Sequence, residues 1–383
     1  MSAAAATAEG LELARSLDES LAKILDVDSL LAATAADEPL AAERLATVRE
    51  LGTGLLALDE AAGGLGIGLG DRLRLAAVFG RRLVPAPLRD EAFGLAPALS
   101  ALAAADGQGP EDSAAPGSRR AAELLEALVA GELRGGVALS AGRAPEPRGP
   151  YAPPPDSARA AAPESASTLL VAALEPGAGA LVVLEPARTL LFELEPGAAS
   201  PFQALDAGQG LARVELGATE PLTALEGPAA ASLRREYELA LACEAFGAGE
   251  RALELAAEYA EQRQQFGRPI ASFQAVAHLL AEMKLGIETA RAGIGRLVDL
   301  AAAEEADPVA LADWTAVLSH AVPAAARRAC EGSIQVHGGI GFSWELGLHL
   351  GYRRVLAVQY LLGGEAASAE VAGAAYLARR AAR

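Results

Sequence analysis

The sequence contains few of the residues that form covalent or metal cross-links. It has two cysteines in 383 residues, Cys243 and Cys330. Two cysteines cannot build a disulfide framework, and their apolar, helical context predicts two buried free thiols. The four histidines show no HxxxH spacing and there is no CxxC pair, so we expect no metal site.

Targeting signals and long apolar runs are also missing. The N-terminal segment has no basic region followed by an apolar stretch, and no uninterrupted apolar run reaches about 18 residues. These absences predict a cytoplasmic protein that does not insert into a membrane.

Aromatic residues are scarce, at 4 %, although apolar residues make up 52 % of the chain. The core must therefore consist mainly of Ala, Leu and Val, and abundant Ala and Leu favour helices. A composition this rich in apolar residues excludes intrinsic disorder of the chain as a whole. The formal net charge of −18 repels phosphate backbones, so we expect no nucleic-acid partner.

The periodicity of apolar residues divides the chain into three predicted domains. Stripes at helical spacing, such as Leu13, Leu17, Leu21 and Ile24, predict an N-terminal helical domain over residues 1–130, with a flexible loop over residues 104–118. Residues 144–163 contain seven prolines and cannot form a helix. They begin a small, reduced β-domain, which we place at residues 131–224.

Short β-like runs follow the proline-rich connection. They are Thr168–Leu174, Leu181–Leu184, Thr189–Leu194 and Leu211–Leu216. The turn sequence at residues 175–179 predicts a hairpin between the first two runs. Helical periodicity is strong from Pro228 onward, and long helices with short connections predict a C-terminal four-helix bundle over residues 225–383.

The connection between the first two long helices of the bundle concentrates positive charge in an acidic chain. Residues 263–274 read RQQFGRPIASFQ, so Arg263 and Arg268 lie on either side of Phe266. Guanidinium groups form forked, charge-assisted hydrogen bonds to phosphoryl oxygens, so this cluster suits a diphosphate. An inter-helix turn whose arginines pair with neighbouring glutamates explains the residues equally well.

A second glycine-rich segment follows the third bundle helix. Residues 335–344 read QVHGGIGFSW; Gly338, Gly339 and Gly341 allow a close approach of the backbone to a ligand, and Gln335 adds an amide. A plain turn that ends a helix is the alternative interpretation.

With these two segments the sequence resembles the acyl-CoA dehydrogenase family. The resemblance covers residues 239–364 best, and its motifs are Arg263, Phe266-Gly267, Pro269-Ile270, Phe273-Gln274 and the Gln-x-x-Gly-Gly-x-Gly run from Gln335. A weaker match includes Leu51-Gly52 and the glycine-rich turn at residues 63–66. The run from Val336 to Glu345 is most similar to actinobacterial members, some of which are heteromeric.

The resemblance implies a fold, a cofactor and a reaction. It implies a helical domain, a small β-domain and a helical bundle, with FAD shared between subunits of a homo- or hetero-oligomer. In the family, a carboxylate removes the α-proton of an acyl-CoA thioester while a β-hydride passes to the flavin. The positions similar to those that contact FAD are Arg263, Gln265, Phe266, Phe273, Gln274, Gln335, Val336, Gly338 and Gly339.

The chain departs from the family at the catalytic base. Leu362-Gly363-Gly364 occupies the place of the usual Glu-Gly-Thr run, and Glu365 is about 4.5 Å further along a helix. Other members carry the base on the first bundle helix, where Tyr237 falls here, flanked by Glu236 and Glu238. Glu238 and Glu236 are therefore the candidate bases; a solvated, charged helix start is the alternative interpretation.

The stretch that matches the flavin-contacting strand also departs from the family, because Ser140 alone remains there to contact a flavin. Three functions stay open. The first is an FAD-dependent acyl-CoA dehydrogenase, active alone or with a partner subunit. The second is a non-catalytic subunit that donates FAD contacts to a homologous partner. The third is the same fold recruited for a non-redox reaction on a thioester or natural-product intermediate.

Overall fold

The computed structural model describes residues 7–36, 40–105, 115–140, 169–202, 204–216, 219–303 and 305–381. The whole of the predicted proline-rich connection at residues 144–163, and residues 106–114 of the predicted loop, lie outside this part of the chain. The helices of the N-terminal domain are α1 (Ala8–Ile24), α2 (Val27–Ala36), α3 (Ala42–Glu50), α4 (Leu69–Arg81), α5 (Ala86–Asp90), α6 (Ala96–Ala104) and α7 (Pro116–Val129). A π-helical turn, Glu91–Leu95, joins α5 to α6.

Two small sheets form the middle of the chain. The strands are β1 (Gly135–Leu139), β2 (Leu169–Ala173), β3 (Ala180–Leu184), β4 (Arg188–Glu193), β5 (Ala199–Pro201), β6 (Leu211–Glu215) and β7 (Thr223–Glu226). One sheet has the order β1-β3-β4-β7 and the other β2-β6-β5. Leu181, Val183, Phe192 and Val214 are among the residues of the apolar core between them.

The four predicted β-runs are confirmed, but the predicted hairpin is wrong. β2 pairs with β6, whereas β3 pairs with β1 in parallel and with β4 in an antiparallel arrangement. The turn at residues 175–179 therefore carries the chain from one sheet to the other. The local turn sequence favours a reversal, but β2 pairs with the distant strand β6, and β3 pairs with the distant strand β1 and with the next strand, β4.

Five helices form the C-terminal domain: α8 (Pro228–Gln262), α9 (Gln274–Ala301), α10 (Pro308–His337), α11 (Leu348–Leu361) and α12 (Gly364–Ala381). A two-residue hairpin, β8 (Gln264–Gln265) with β9 (Arg268–Pro269), connects α8 to α9. The segment Pro308–Phe342, which includes α10, is long and apolar enough to cross a membrane by length and composition. In this fold α10 is a bundle helix, and Ala326, Ala329 and Cys330 on it are buried.

The helical domains share one apolar core. It includes Leu17 and Leu21 of α1, Leu75 and Phe79 of α4, Leu239 and Phe246 of α8, and Met283 and Ile287 of α9. Glycines let α4 and α8 cross closely, since a Cβ at Gly80 would lie 1.7 Å from the Glu244 carbonyl oxygen. The predicted fold, mainly helical with a small β-domain and a C-terminal bundle, is confirmed.

Candidate cofactor-binding turns and a buried charge cluster

The connection between α8 and α9 projects from the end of the bundle. Its tip requires two left-handed residues, Phe266 with φ 53° and Gly267 with φ 78°. The Phe266 side chain is 92 % exposed, and its ring makes an edge contact with Phe273 at 6.1 Å between centroids. The Arg268 guanidinium carbon lies 4.1 Å from the centroid of the Phe273 ring. The turn therefore presents an aromatic and cationic surface to its surroundings.

The structure bears on one of the two interpretations of the arginines in this turn, the pairing with glutamates. Arg263 and Arg268 are exposed, and within the described part of the chain neither forms an ion pair with a carboxylate. Pairing with neighbouring glutamates therefore does not explain them. Two unpaired guanidinium groups beside an exposed ring leave their donors available to an anionic ligand.

The second predicted segment ends α10. Gln335 is exposed, Val336 is buried, and Gly338 has φ 64°. A Cβ at Gly338 or Gly339 would meet no atom within 4 Å, so the backbone there faces open space. Only Gly341 is tightly enclosed, because a Cβ there would lie 2.4 Å from the Ile334 carbonyl oxygen. Of the three glycines, Gly338 and Gly339 are accessible to a ligand.

A stacked pair of rings holds the two segments at the same end of the bundle. Tyr259, one helical turn before Arg263, stacks on His337 with centroids 4.4 Å apart and an interplanar angle of 24°. The His337 Nδ1 lies 2.7 Å from the Ser333 carbonyl oxygen, which fixes the ring on α10. The sequence reasoning missed both residues, although each lies within one helical turn of a predicted motif. The pair therefore brings the C-terminal end of α8 beside the C-terminal end of α10.

Arginines bind both candidate bases. The Arg234 Nε donates to the Glu238 Oε1 at 2.8 Å, and the Arg72 Nη1 lies 3.1 Å from the Glu236 Oε2. α8 begins at Pro228, so both carboxylates lie inside a helix and not at its start. Burial raises the pKa of Glu238, although 21 % of its side chain remains accessible. The structure thus shows two half-buried ion pairs at the predicted base positions.

The remaining positions that the resemblance singled out are also engaged elsewhere. Glu365 is exposed at the start of α12 and accepts from the Arg327 Nη2 at 3.1 Å. The Ser140 backbone N–H donates to the Leu184 carbonyl oxygen at 3.1 Å, and the Ser140 carbonyl oxygen accepts from the Arg234 Nη1 at 2.8 Å, so its backbone is held in place. Neither residue compensates for Leu362, where the usual base is absent.

Tyr237, between the two candidate bases, points into the interior and belongs to a buried charge cluster. Its hydroxyl donates to the Asp90 Oδ1 at 2.6 Å. The Arg89 Nε and Nη2 also donate to this oxygen, at 2.8 and 2.6 Å. Burial raises the pKa of Asp90, and it raises the pKa of Tyr237 well above the usual value. The three donors on one carboxylate oxygen oppose the effect of burial on the Asp90 pKa, because hydrogen bonds to the charged form favour that form.

The cluster closes into a ring that joins all three domains. Glu244 of α8 accepts from Arg89 of α5 at 3.0 Å and from Arg354 of α11 at 2.8 Å. Arg354 also donates to Asp206 at 2.5 Å. Gln209 completes the ring, since it accepts from Arg89 at 3.2 Å and donates to Asp206 at 3.2 Å.

Sequence reasoning missed this buried charge ring. Charged residues inside apolar helical stretches, such as Glu244 in residues 239–249, were the available signal.

A small cavity lies between α4, the π-helical turn and α8. Its volume is about 20 Å³, and Leu73, Phe93, Leu233 and Ala240 are among the apolar residues that line it, with the Arg72–Glu236 ion pair at its polar side. About 10–15 Å³ accommodates one water molecule, whereas pockets for organic ligands measure hundreds of Å³. Side chains therefore fill the space between these described helices beside the candidate bases.

Comparison with known proteins identifies the class of this fold. A family model described as the acyl-CoA dehydrogenase C-terminal domain matches residues 236–377. A chain of the ChsE4–ChsE5 complex from Mycobacterium tuberculosis superposes with a TM-score of 0.70 and 19 % identity, over 97 % of this chain and 98 % of that one. At that identity the likeness shows the fold, which is the three-part fold of acyl-CoA dehydrogenases.

Curated relatives agree with the family model. The acyl-CoA dehydrogenase FadE34 of Mycobacterium tuberculosis is 33 % identical over 322 residues, which are 81 % of this chain and 38 % of FadE34. The acyl-CoA dehydrogenase IpdE2 of the same organism is 42 % identical over 122 residues, 32 % of this chain and 36 % of IpdE2. The matches thus span little more than a third of either relative. The similarity of residues 236–377 to the acyl-CoA dehydrogenase family, which the motifs predicted, is confirmed.

Proposed function

We propose that this chain is a subunit of an FAD-dependent, acyl-CoA dehydrogenase-like oxidoreductase, and that it contributes cofactor contacts while a homologous partner supplies the catalytic base. The observation that carries the proposal is the contrast between two groups of charged side chains. Arg263 and Arg268 are exposed and unpaired among the described residues, whereas Glu236 and Glu238 are each bound by an arginine. The guanidinium groups of Arg263 and Arg268 are therefore available to a ligand, whereas the carboxylates of Glu236 and Glu238 are occupied by ion pairs.

The residues of the two turns fit the diphosphate and adenosine parts of FAD. Arg263 offers forked donors to a diphosphate, with Gln274 at the N-terminal end of α9 beside it. Gln335 offers an amide, and the open backbone at Gly338 and Gly339 permits close contact. When bound, FAD supplies a hydride acceptor. The part assigned to this chain is to hold and orient the cofactor.

The space beside α8 is filled by side chains, and this supports the proposal that a partner subunit abstracts the proton. A general base must lie within hydrogen-bond distance of the proton that it removes. Glu238 is bound to Arg234, and the cavity of about 20 Å³ that Glu236 lines accommodates water and not an acyl chain. One structurally similar chain comes from a two-component complex, ChsE4–ChsE5. That arrangement is consistent with a base supplied by a second subunit.

The visible spectrum tests this proposal. We would purify the chain alone and co-expressed with a homologous subunit that carries a glutamate base, and then measure flavin absorbance and its bleaching by an acyl-CoA. We expect yellow, bleachable protein from the co-expressed pair only. Flavin that is bound and bleached by this chain alone would show that no partner base is needed. A colourless preparation in every combination, even with added FAD, would refute the cofactor assignment.

A pair of arginine variants tests the residue assignment in the same complex. Arg263→Met removes a charge-assisted hydrogen bond worth about 1.5–3 kcal/mol, so we expect FAD affinity to fall roughly 10- to 100-fold. Arg119→Met is the matched control, since Arg119 is an exposed arginine on α7. Equal flavin retention in the two variants would contradict a role for Arg263.

A further inference from the structure

A second, larger cavity lies at one end of the two sheets, beside the turns that carry the chain between them. Its volume is about 190 Å³. One turn leads from β2 to β3 and the other from β4 to β5, and between them the Leu194 N–H donates to the Gly179 carbonyl oxygen at 2.9 Å. Pro176 and Pro196 line the cavity and are exposed, so it opens to solvent. The residues that line it lie between positions 174 and 212, so it shares none with the two cofactor-binding turns.

The two turns beside the cavity have the same sequence and the same conformation. Each reads Leu-Glu-Pro-Gly-Ala, at residues 174–178 and 194–198. In each turn the alanine N–H donates to the glutamate carbonyl oxygen, at 3.1 Å in the first and 3.0 Å in the second. Gly177 and Gly197 have φ of 82° and 90°, and proline followed by such a glycine is the pattern of a type II turn. A Cβ at either glycine would meet no atom within 4 Å, so small residues leave this space open.

The residues that line the cavity combine apolar surface with two carboxylates. Leu174 and Leu194 begin the turns, and Pro201 and Ala212 of the second sheet add further apolar surface. Among the described residues that line the cavity, only the two turn glutamates are charged. An apolar cavity of about 150 Å³ holds benzene, so one of about 190 Å³ accommodates a ring or short alkyl chain with one polar group.

The ion pairs around the cavity leave one negative charge without a partner. The Arg49 Nη2 lies 2.5 Å from the Glu175 Oε1 and 2.8 Å from the Glu91 Oε1. The Arg134 Nε lies 3.7 Å from the Glu175 Oε2, so two arginines balance two glutamates here. Glu195, in the second turn, is exposed and forms no ion pair with any described residue. A ligand that complements this charge carries a single positive charge.

We propose that this cavity binds a small organic monocation, with a compact apolar body against Leu174 and Leu194 and an ammonium group near Glu195. A neutral ligand of the same shape gains the apolar contacts but not the ion pair. Glu195 repels an anionic ligand, and the formal net charge of −18 acts in the same direction. The proposal does not depend on FAD or on a catalytic partner, because the cavity lies within the β-domain.

Benzylamine is the probe for this site, since it joins a ring of suitable size to an ammonium group. In ligand-observed NMR titrations of the full chain, we expect it to bind with a dissociation constant of about 1 mM at low salt. Benzyl alcohol, which has the same shape without the charge, should bind about two- to fivefold more weakly, and benzoate should bind more weakly still. Added salt should weaken the binding of benzylamine but not that of benzyl alcohol.

Matched substitutions locate the site in the fold. Ala178→Leu enlarges a residue that lines the cavity, and it should weaken benzylamine binding at least about tenfold because the added side chain takes space that the ring needs. Ala198→Leu changes the equivalent position of the other turn, which does not line the cavity, and should leave binding unchanged. Glu195→Gln should lower the affinity to that of benzyl alcohol, whereas Glu220→Gln, at an exposed glutamate of the same domain, should not.

A second cavity-filling variant keeps the test independent of one substitution. Circular dichroism checks that each variant is folded, and Ala199→Leu on β5 replaces Ala178→Leu if that variant unfolds. The absence of benzylamine binding at about 10 mM would overturn the proposal. Binding that survives both cavity-filling variants would overturn it as well, because the probe would then lie elsewhere. Equal affinity for benzylamine and benzyl alcohol would refute the selection of a cation.

Discussion

The buried charge ring makes a quantitative prediction about the substitution Arg89→Met. Methionine keeps most of the apolar stem but removes the guanidinium, which is 1 % exposed in this structure. The variant loses two hydrogen bonds to the Asp90 Oδ1, one to Glu244 at 3.0 Å and one to Gln209 at 3.2 Å. Glu244 and Asp206 then share the guanidinium of Arg354, and Asp90 has no contact with a guanidinium of the described residues.

The expected cost follows from leaving buried charge without its counterion. Removing one partner of a buried ion pair typically costs about 3–5 kcal/mol. For a chain of this length the entropy of unfolding is about 0.8 kcal/mol/K, so a loss of about 4 kcal/mol lowers Tm by roughly 5 °C. Asp90, whose pKa burial already raises, then takes up a proton more readily, so the variant should be relatively more stable at low pH than at neutral pH.

Thermal unfolding followed by circular dichroism measures this effect at pH 5.5 and pH 7.5. Arg15→Met, which removes an exposed arginine paired with Glu12, is the control and should leave Tm unchanged. The double variant Arg89→Met/Asp90→Asn removes both members of a pair and should recover part of the loss. An Arg89→Met variant whose Tm stays within 1 °C of wild type at both pH values would refute the reasoning.

Three further predictions concern other buried groups. Gly80→Ala forces apart α4 and α8 and should cost about 1–3 kcal/mol in urea unfolding, whereas Gly351→Ala, with open space around it, should not destabilise the chain. Burial raises the pKa of the Cys243 and Cys330 thiols to about 12, so neither should react with a thiol reagent at pH 8 until the protein unfolds. Burial raises the pKa of Glu238, which favours the folded state below the usual glutamate pKa and loses that contribution as pH rises through the raised value. Glu238→Gln should therefore flatten the fall of stability with pH.

Each of these has a contradicting outcome. Equal stability of Gly80→Ala and Gly351→Ala would show that the two helices adjust without cost. Rapid labelling of native protein would mean that the thiols are accessible. An unchanged pH slope in Glu238→Gln would show that this carboxylate titrates normally.

Sequence patterns predicted the secondary structure where it depends on local chemistry. The start of α10 is an example of such local chemistry, since the Asp307 side chain accepts from the Val309 N–H at 2.9 Å and Pro308 stands in the first turn. The β-runs are also local, because their apolar content alone favours strands. The predicted hairpin failed because strand pairing depends on residues far apart in sequence: Val171 pairs with Arg213.

The candidate site likewise combines residues that the sequence could locate with contacts that only the fold creates. Arg263 and the glycines after Gln335 lie in contiguous motifs, so the sequence could locate them. The Tyr259–His337 stack depends on how α8 and α10 pack, so the motifs alone did not show that they lie side by side. Whether Arg263 pairs with a glutamate was equally undecidable from sequence, because the pairing depends on three-dimensional distances.

The sequence by itself determined the helical class, the β-runs and the resemblance of the C-terminal region to a known family, because composition, periodicity and contiguous motifs are properties of neighbouring residues. The tertiary structure alone decided which charges are paired. Arg89, Asp206, Glu244 and Arg354 come from different parts of the chain and meet in one buried ring. Burial and distance set the strength of electrostatic interactions, and both exist only once the chain has folded.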